Sequence, residues 1–126
     1  MKIIFVGLHN KEGMKPLDSK TKSGKLIDRI IKLISEEHEI IKSNLYDINY
    51  FPTDSLEQEK LIMDWCEKFN PDTNTISVVL GAHVHKMFPY YHNVIKIAHP
   101  ASKRSHKDMD EYVQNASRLI VSKINS

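Results

Sequence analysis

The sequence predicts an α/β domain in which a four-stranded parallel sheet is covered by helices on both faces. Three observations carry this prediction: four short runs rich in Ile and Val, segments of helical apolar spacing between them, and turn residues at the junctions. Strands that alternate with helices in this way form parallel sheets joined by right-handed crossovers. A length of 126 residues predicts one domain, which spans residues 1–126.

The four predicted strands are apolar runs that stop at turn-forming or polar residues. Short runs bounded in this way are typical of strands buried inside a parallel sheet. The runs are Lys2–Val6 before Gly7, Glu39–Ser43 before Asn44, Thr75–Leu80 before Gly81, and Asn93–Ala98 before His99.

The first two helices are predicted from a capping residue followed by apolar residues at helical spacing. Ser23 is the expected N-cap of the first helix, which is predicted to end near Glu36–His38. Thr53 or Asp54 caps the second helix, which is predicted to end at Phe69 before an Asn-Pro turn.

The last two helices have start signals of different strength. A short helix is predicted over Ala82–Phe88 and is closed by Pro89. The final helix is predicted to begin at Ser105, because Ser105 and Asp108 fit the capping-box spacing of a hydroxyl followed three residues later by an acid. Tyr112 belongs to the apolar face of this helix.

The composition is that of an ordinary globular protein. Hydrophobic residues make up 40% of the chain and the net charge is only +2, which disfavours intrinsic disorder. No apolar run approaches the roughly 18 residues needed to span a bilayer, and the start carries no signal-peptide pattern. Cys66 is the only cysteine, so an intramolecular disulfide and a self-contained cysteine-ligated iron–sulfur cluster are excluded. We therefore expect a cytoplasmic protein that does not associate with membranes.

The candidate site is expected at one edge of the sheet. Ligands of parallel sheets bind beyond the carboxyl ends of the strands, near the point where the strand order reverses. Four segments that follow the predicted strands are also rich in His, Asn, Ser and Lys. They are Gly7–Lys22, Asn44–Pro52, Gly81–Lys86 and His99–Ser105.

The segment after the fourth strand carries the most specific pattern. His99 ends a buried strand, where its imidazole can point into a cleft, and Pro100 stops the strand ladder. Lys103 and Arg104 supply cations that can contact a phosphate backbone. A solvated basic turn explains this Lys-Arg pair equally well, whereas the strand-end position of His99 favours a functional role.

Polar residues also follow the first and second strands. Gly7 permits the close approach of a ligand, and His9 and Asn10 are then expected in the cleft. Asn44 offers a donor and an acceptor on one planar group, which suits the edge of a nucleobase; an ordinary turn asparagine is the alternative. Tyr46 can stack on a base or belong to the core.

Two other kinds of site are disfavoured. His83 and His85 are two residues apart, a spacing that points them to different faces of a helix, and the chain has no Cys pair and no H-E-x-x-H motif. We therefore predict no metal and no other cofactor. The stretch Thr21–Lys25 lacks the full spacing of a phosphate loop, which argues against a nucleoside triphosphate site.

These segments, in this order, resemble the motifs of the uracil-DNA glycosylase superfamily. Phe5–Asn10 is similar to the first motif, which begins with Gly, and Ser43–Tyr46 is similar to the second, which carries a recognition Asn. Ile97–Ser102 resembles the third, His-Pro-Ser-like motif, and Val78–Gly81 resembles the strand before the last crossover. The resemblance covers nearly the whole chain. It implies a three-layer α/β/α sandwich around the four-stranded parallel sheet.

The resemblance also implies roles for individual residues. The target base would be flipped out of the stack, Asn44 would hydrogen-bond its pairing edge, and His99 would stabilise charge that develops on the base carbonyl. Asn10, or His9 in its place, would position the attacking water. The implied base-binding residues are Gly7, Asn44 and Tyr46, and the implied DNA contacts are Ser102, Lys103, Arg104 and Ser105.

We therefore predict a monomeric DNA glycosylase that hydrolyses the N-glycosidic bond of uracil or a related damaged or modified base in single- or double-stranded DNA. The chain departs from the family pattern, because His9 stands where the family has Asp or Asn and Ala101 replaces Ser. The missing carboxylate motivates one alternative, a catalytically inactive module that binds DNA or a nucleotide. The short chain and small net charge motivate another, an N-glycosidase or deoxyribosyltransferase that acts on small nucleosides.

Overall fold

Four parallel strands form one sheet. The computed structural model describes residues 1–9, 14–34, 37–46, 54–88, 93–102 and 107–126. Within them the strands are β1 (Lys2–His9), β2 (Glu39–Tyr46), β3 (Thr75–Leu80) and β4 (Val94–Ile97). Their order across the sheet is β2-β1-β3-β4, and every pairing is parallel. The predicted α/β class with a four-stranded, all-parallel sheet is confirmed.

Each strand is followed along the chain by a helix. The helices are α1 (Lys22–Lys32), α2 (Ser55–Phe69), α3 (Ala82–Met87) and α4 (Met109–Ile124). None of these described helices has both the length and the apolar character required to cross a membrane. The predicted bounds of β3 are confirmed, and so is the Asp54 cap of α2, whose carboxylate accepts the N–H of Leu56 at 2.9 Å.

The central strand β1 is buried on both faces of the sheet. Ile3 and Phe5 belong to a hydrophobic cluster that contains buried residues of α1 and α4. Ile4 and Val6 belong to a second cluster that contains buried residues of α2 and α3. Side chains alternate across a strand, so the two clusters lie on opposite faces of the sheet. The unbroken apolar run of β1 follows from this double burial.

Two strands extend further than predicted. The prediction that β1 stops at Gly7 and β2 at Asn44 is wrong, because the two strands stay paired through Gly7 with Asn44 and His9 with Tyr46. Main-chain pairing with a neighbouring strand here outweighs the low strand propensity of Gly and Asn. Gly7 and Asn44 therefore lie inside the sheet, next to each other, and not in the loops beyond it.

Two helix starts also differ from the prediction. The N-cap of α1 is Thr21, not Ser23, because the Thr21 hydroxyl accepts the N–H of Gly24 at 2.9 Å. The helix ends at Lys32, before the predicted Glu36–His38. The N-cap of α4 is Asp108, whose carboxylate accepts a first-turn N–H, and not Ser105, which lies outside the described residues.

Candidate active site

The carboxyl edge of the sheet is the place where the chain reverses direction across the strands. The chain leaves β1 toward α1 and leaves β3 toward α3, and these helices pack on opposite faces. A reversal of this kind creates a ligand-binding crevice between the two strand ends. The candidate site therefore lies between the carboxyl ends of β1 and β3.

Asn44 of β2 lies across Gly7 of β1. A Cβ atom on residue 7 would lie only 2.5 Å from Oδ1 of Asn44, closer than real Cβ contacts allow. Glycine at this position is therefore what admits the Asn44 amide. The Leu17 side chain also reaches this point, with Cδ2 at 3.6 Å from the same Cβ position. We call this arrangement the Asn44–Gly7 pair.

A buried hydrogen-bond relay supports the strand next to Asn44. The side chain of Ser43 is 1% exposed, and its hydroxyl donates to the Phe5 carbonyl at 2.9 Å. The indole N–H of Trp65, on α2, donates to the same hydroxyl at 3.0 Å. This relay joins α2, β2 and β1 one residue before Asn44, so it fixes the main chain from which the amide projects.

His99 lies across Gly81 in a second arrangement of the same kind. Gly81 follows β3 with φ +89° and ψ 160°, an extended conformation at positive φ that glycine adopts without strain. A Cβ atom on residue 81 would lie 3.1 Å from Cβ of His99, and the Gly81 N–H donates to the Ile97 carbonyl at 3.0 Å. We call this arrangement the His99–Gly81 pair.

A tight turn determines which nitrogen of His99 carries hydrogen. The N–H of Ala101 donates to Nδ1 at 2.9 Å, and the N–H of Ser102 donates to the His99 carbonyl at 3.0 Å. Because Nδ1 accepts, the neutral ring carries its hydrogen on Nε2. The ring can therefore act as a donor toward a carbonyl oxygen or a developing oxyanion. Ala101 contributes through its main chain, which does not depend on a Ser side chain at that position.

Tyr112 of α4 holds the residue that precedes His99. Its hydroxyl donates to the Ala98 carbonyl at 2.6 Å, and burial raises the pKa of Tyr112 above its ordinary value. The phenol therefore stays protonated and remains a donor at physiological pH. Sequence reasoning placed Tyr112 on the apolar face of the last helix but missed this hydrogen bond, because its partner lies on another element.

Lys42 of β2 anchors the loop that follows β1. Its ammonium group donates to the Leu17 carbonyl at 3.0 Å and to the Asp28 carboxylate at 2.6 Å. Leu17 has φ +49°, an uncommon left-handed conformation for a side chain of this size. Strained residues of this kind persist where their surroundings hold them, and they cluster at functional sites. Sequence reasoning missed both Lys42 and Leu17.

The histidines of α3 do not form a metal site with each other. Nε2 of His85 lies 3.0 Å from the Val79 carbonyl and 2.9 Å from the Ile97 carbonyl, so this ring ties the ends of β3 and β4 together. His83 is exposed. Among the residues that the structure describes, no group of three His, Cys, Asp or Glu side chains could hold a metal ion.

Several predicted site residues lie outside what the structure describes. Gly7, Asn44, His99 and Ser102 all lie at the carboxyl edge. The main chains of His9 and Tyr46 lie there too, paired with each other, but their side chains are not described. The predicted residues outside the described ranges are Asn10, Lys103, Arg104 and Ser105.

Comparisons with known proteins identify no relative of this chain. The chain matches no protein-family model, no curated protein and no solved structure. Its function is therefore inferred from the residues at the carboxyl edge and from their contacts.

Proposed function

We propose that the protein is a DNA glycosylase that releases uracil or a related damaged or modified base. The observation that carries the proposal is that two planar polar side chains, Asn44 and His99, each lie across a glycine at the carboxyl edge of the two central strands. An amide can both donate to and accept from the edge of a base, and an imidazole with hydrogen on Nε2 can donate to a base oxygen. The reaction uses both properties.

Base recognition is assigned to the Asn44–Gly7 pair. A base inside a duplex is inaccessible, so the target nucleotide must leave the stack and enter the crevice. Asn44 then pairs with its hydrogen-bonding edge. The in-register pairing of Asn44 with Gly7 and the buried relay through Ser43 support this role, because both fix the direction of the amide.

Stabilisation of the leaving base is assigned to His99. As the bond between the base nitrogen and C1′ of the sugar breaks, the bonding electrons pass to the base and concentrate on its carbonyl oxygen. The Nε2–H of His99 donates to that oxygen, a contact that is stronger in the transition state than in the ground state. The acceptor role of Nδ1 toward Ala101 supports this assignment, because it directs the hydrogen to Nε2.

Water completes the reaction at C1′. Its oxygen forms the new bond to the sugar, and its proton is released as the departing base becomes protonated, so the products are an abasic site and the free base. We assign the positioning of this water to Asn10, which follows β1 in the chain, or, second, to His9, the last residue of β1. The Asn10 amide is not basic, so we expect water held by Asn10 to react more slowly than water held by the His9 imidazole, which can act as a general base.

The finer architecture belongs to the same proposal. The two hydrophobic clusters, one with α1 and α4 and the other with α2 and α3, support a three-layer sandwich of the uracil-DNA glycosylase type. One further observation favours a second function. Because His9 stands where the family has Asp or Asn and no carboxylate is present there, a module that binds DNA without releasing a base is the alternative.

Base release tests the proposal directly. Labelled single- and double-stranded oligonucleotides that carry uracil or another altered base are incubated with the protein, and alkaline cleavage reveals abasic sites. We expect release that falls roughly 100- to 1,000-fold in His99→Ala, the loss typical of removing one oxyanion donor. His38→Ala, at the opposite edge of the sheet, is the matched control.

Each other outcome contradicts the proposal in its own way. DNA binding without release from any substrate indicates the binding module. Turnover of free nucleosides without DNA binding indicates an enzyme of nucleoside metabolism. Release that is equally fast in His99→Ala and wild type means that His99 does not stabilise the leaving base.

A further inference from the structure

We propose that four exposed lysines beside the candidate active site form a surface that binds the phosphate backbone of DNA. This inference rests on the proposed function and deepens it, since it names how the substrate is held. The α1 lysine surface consists of Lys15, Lys20, Lys22 and Lys25.

Positive charge dominates this part of the described chain. All four side chains are exposed, and the first turn of α1 contains no acidic residue. The nearest acids in sequence among the described residues are Asp18 and Asp28. Asp28 is neutralised by Lys42, whose ammonium lies 2.6 Å from its carboxylate. Asp110 of α4 also lies against α1, where it pairs with Arg29. Asp18 offsets only part of the charge of four lysines, so the surface keeps an excess of positive charge.

The loop that carries the lysines is held in one conformation by its own contacts. The carboxylate of Asp18 accepts the main-chain N–H groups of Lys20 at 3.0 Å and Lys15 at 3.4 Å. The Asp18 carbonyl accepts the hydroxyl of Thr21 at 2.7 Å. A Cβ atom on Gly24 would lie 1.9 Å from that same carbonyl oxygen, so only glycine allows the loop to pack on the helix. The lysines therefore project from a preformed support.

The surface borders the candidate active site through Leu17. The Leu17 side chain reaches the space above Gly7, next to the Asn44 amide, while its carbonyl is held by Lys42. The lysines on either side of Leu17 in sequence consequently lie at the carboxyl edge of the sheet. A nucleic-acid strand whose base enters the crevice at Asn44 has its phosphates close to this edge, where lysines can neutralise them.

The partner is identified by charge and by position. A phosphate backbone presents regularly spaced negative charges, and exposed lysines bind it as point charges without reading sequence. The overall net charge of +2 gives no hint of such a surface, because acidic residues elsewhere cancel it. The excess of positive charge on this surface is therefore more informative than the net charge of the whole chain.

The salt dependence of DNA binding tests the lysine surface without requiring catalysis. Binding of a fluorescein-labelled, unmodified DNA oligonucleotide is followed by fluorescence anisotropy at increasing salt, for the full chain and for the triple variant Lys20→Gln, Lys22→Gln, Lys25→Gln. We expect weaker binding at every sequence tested. The slope of log K against log salt should become shallower by about 1 for each lysine–phosphate interaction that the substitutions remove.

The matched control removes the same charge elsewhere. Lys32, Lys68 and Lys123 lie in the last turns of α1, α2 and α4, and the triple variant with Gln at these positions should keep the wild-type slope. Circular dichroism should show that both triple variants remain folded, because the replaced side chains do not belong to the core. Small shifts of opposite sign in the unfolding temperature are expected, because cations destabilise a helix near its N-terminus and stabilise it near its C-terminus.

Each outcome decides for or against the surface. The proposal is overturned if the first triple variant keeps the wild-type slope, or if the control variant changes the slope equally. It is also overturned if the wild type does not bind DNA. Binding of an RNA oligonucleotide but not of DNA assigns another partner. Binding that depends on these lysines without any base release contradicts the glycosylase and leaves the surface standing. Base release with an unchanged slope contradicts the surface alone.

Discussion

The two polar pairs at the carboxyl edge are built alike but supported differently. The Asn44–Gly7 pair lies inside the sheet, in the register between β2 and β1, and the buried Ser43 hydroxyl lies one residue away. The His99–Gly81 pair lies beyond the strand ends, where a turn and the Tyr112 hydroxyl hold it.

Because of this difference, substitutions near the two pairs should affect the stability of the protein and its activity to different extents. Contacts of the Asn44–Gly7 pair are continuous with the core, so damage to its support reaches the free energy of unfolding. Contacts of the His99–Gly81 pair end in a turn, so loss of a contact that supports the ring should cost less stability than loss of the buried relay; Gly81 is the exception, because its positive φ resists any other residue. Loops tolerate such adjustment, whereas packed strands do not. Five predictions test this contrast, from the largest expected effect to the smallest.

Gly7→Ala should damage activity far more than stability. The added Cβ would lie 2.5 Å from Oδ1 of Asn44, and the amide can rotate away because it is a side-chain end. Loss of an oriented amide is worth about 1–3 kcal/mol of base discrimination, so kcat/KM for base release should fall roughly 10- to 100-fold. Kinetics and urea unfolding of the same sample check both parts. A loss of stability with unchanged kinetics would contradict the assigned role of Asn44.

Ser43→Ala should lower the free energy of unfolding by about 1–3 kcal/mol, because the buried Trp65 indole N–H loses its acceptor. Urea denaturation measures the change. Ser117→Ala is the control: Ser117 is also buried, but its hydroxyl donates to Val113 within the same helix and serves no second group among the described residues. Equal losses in the two variants would mean that the relay adds nothing to the Asn44–Gly7 pair.

Gly81→Ala should lower the free energy of unfolding by about 1–3 kcal/mol, the cost of a combination of φ and ψ that is essentially restricted to glycine. The side chain would also meet Cβ of His99 at 3.1 Å and shift the ring by a few tenths of an ångström. Base release should therefore fall together with stability. Gly81→Asn serves as the comparison, because Asn tolerates the left-handed helical region but not the extended ψ of 160° found here, so it should lose as much stability as Ala. Wild-type stability of either variant would argue against backbone strain at this position.

Tyr112→Phe should cost about 1 kcal/mol of stability, the net contribution of one hydrogen bond. The Ala98 carbonyl would then lose the donor that lies 2.6 Å away. Nitrogen chemical shifts of the His99 ring report whether Nδ1 remains the acceptor. We expect a partial shift toward the other tautomer and a modest fall in base release. Unchanged ring shifts would restrict Tyr112 to a purely structural role.

Acid below about pH 4 should loosen the Asn44–Gly7 pair through the loop that follows β1. Burial alone raises the pKa of Asp28, but hydrogen bonds from Lys42 and Ser19 and nearby lysine charges outweigh burial, so the pKa lies below its ordinary value. Such a group adds stability that is fully present above the unfolded pKa of about 3.9 and is lost as pH falls toward the folded pKa. When urea unfolding is measured over a range of pH, Asp28→Asn should reduce the loss of unfolding free energy at low pH. The control is Asp64→Asn, at an exposed position of α2, which should show the same loss of unfolding free energy at low pH as the wild type.

The fold class was predictable because it depends on patterns local to the chain. Apolar runs that alternate with amphipathic segments suffice for strands and helices, and β3 was predicted to the residue. Strand ends were less predictable, since pairing carried Gly7 and Asn44 into the sheet. The start of α4 was not predicted correctly for another reason. Two capping patterns overlap, one beginning at Ser105 and one at Asp108, and nothing local distinguishes them.

The candidate site was predictable where the strand-end rule applies and not elsewhere. Asn44 and His99 were found because each follows an apolar run. The contact of Lys42 with Leu17 joins residues 25 apart, and that of Tyr112 with Ala98 joins residues 14 apart. Neither residue type signals such a partner by itself, because the contact exists only after distant elements pack together.

The in-register position of Asn44 has a consequence for changing what the protein recognises. Because residue 44 belongs to a paired strand, its side chain can be exchanged while the path of the backbone stays the same. Asn44→Asp, for example, would turn a donor and acceptor into two acceptors at one point of the carboxyl edge. A library that varies only positions 44 and 17 would therefore sample new base preferences on a constant scaffold. Variation at position 99 offers no such freedom, since there the ring, its turn and Gly81 must change together.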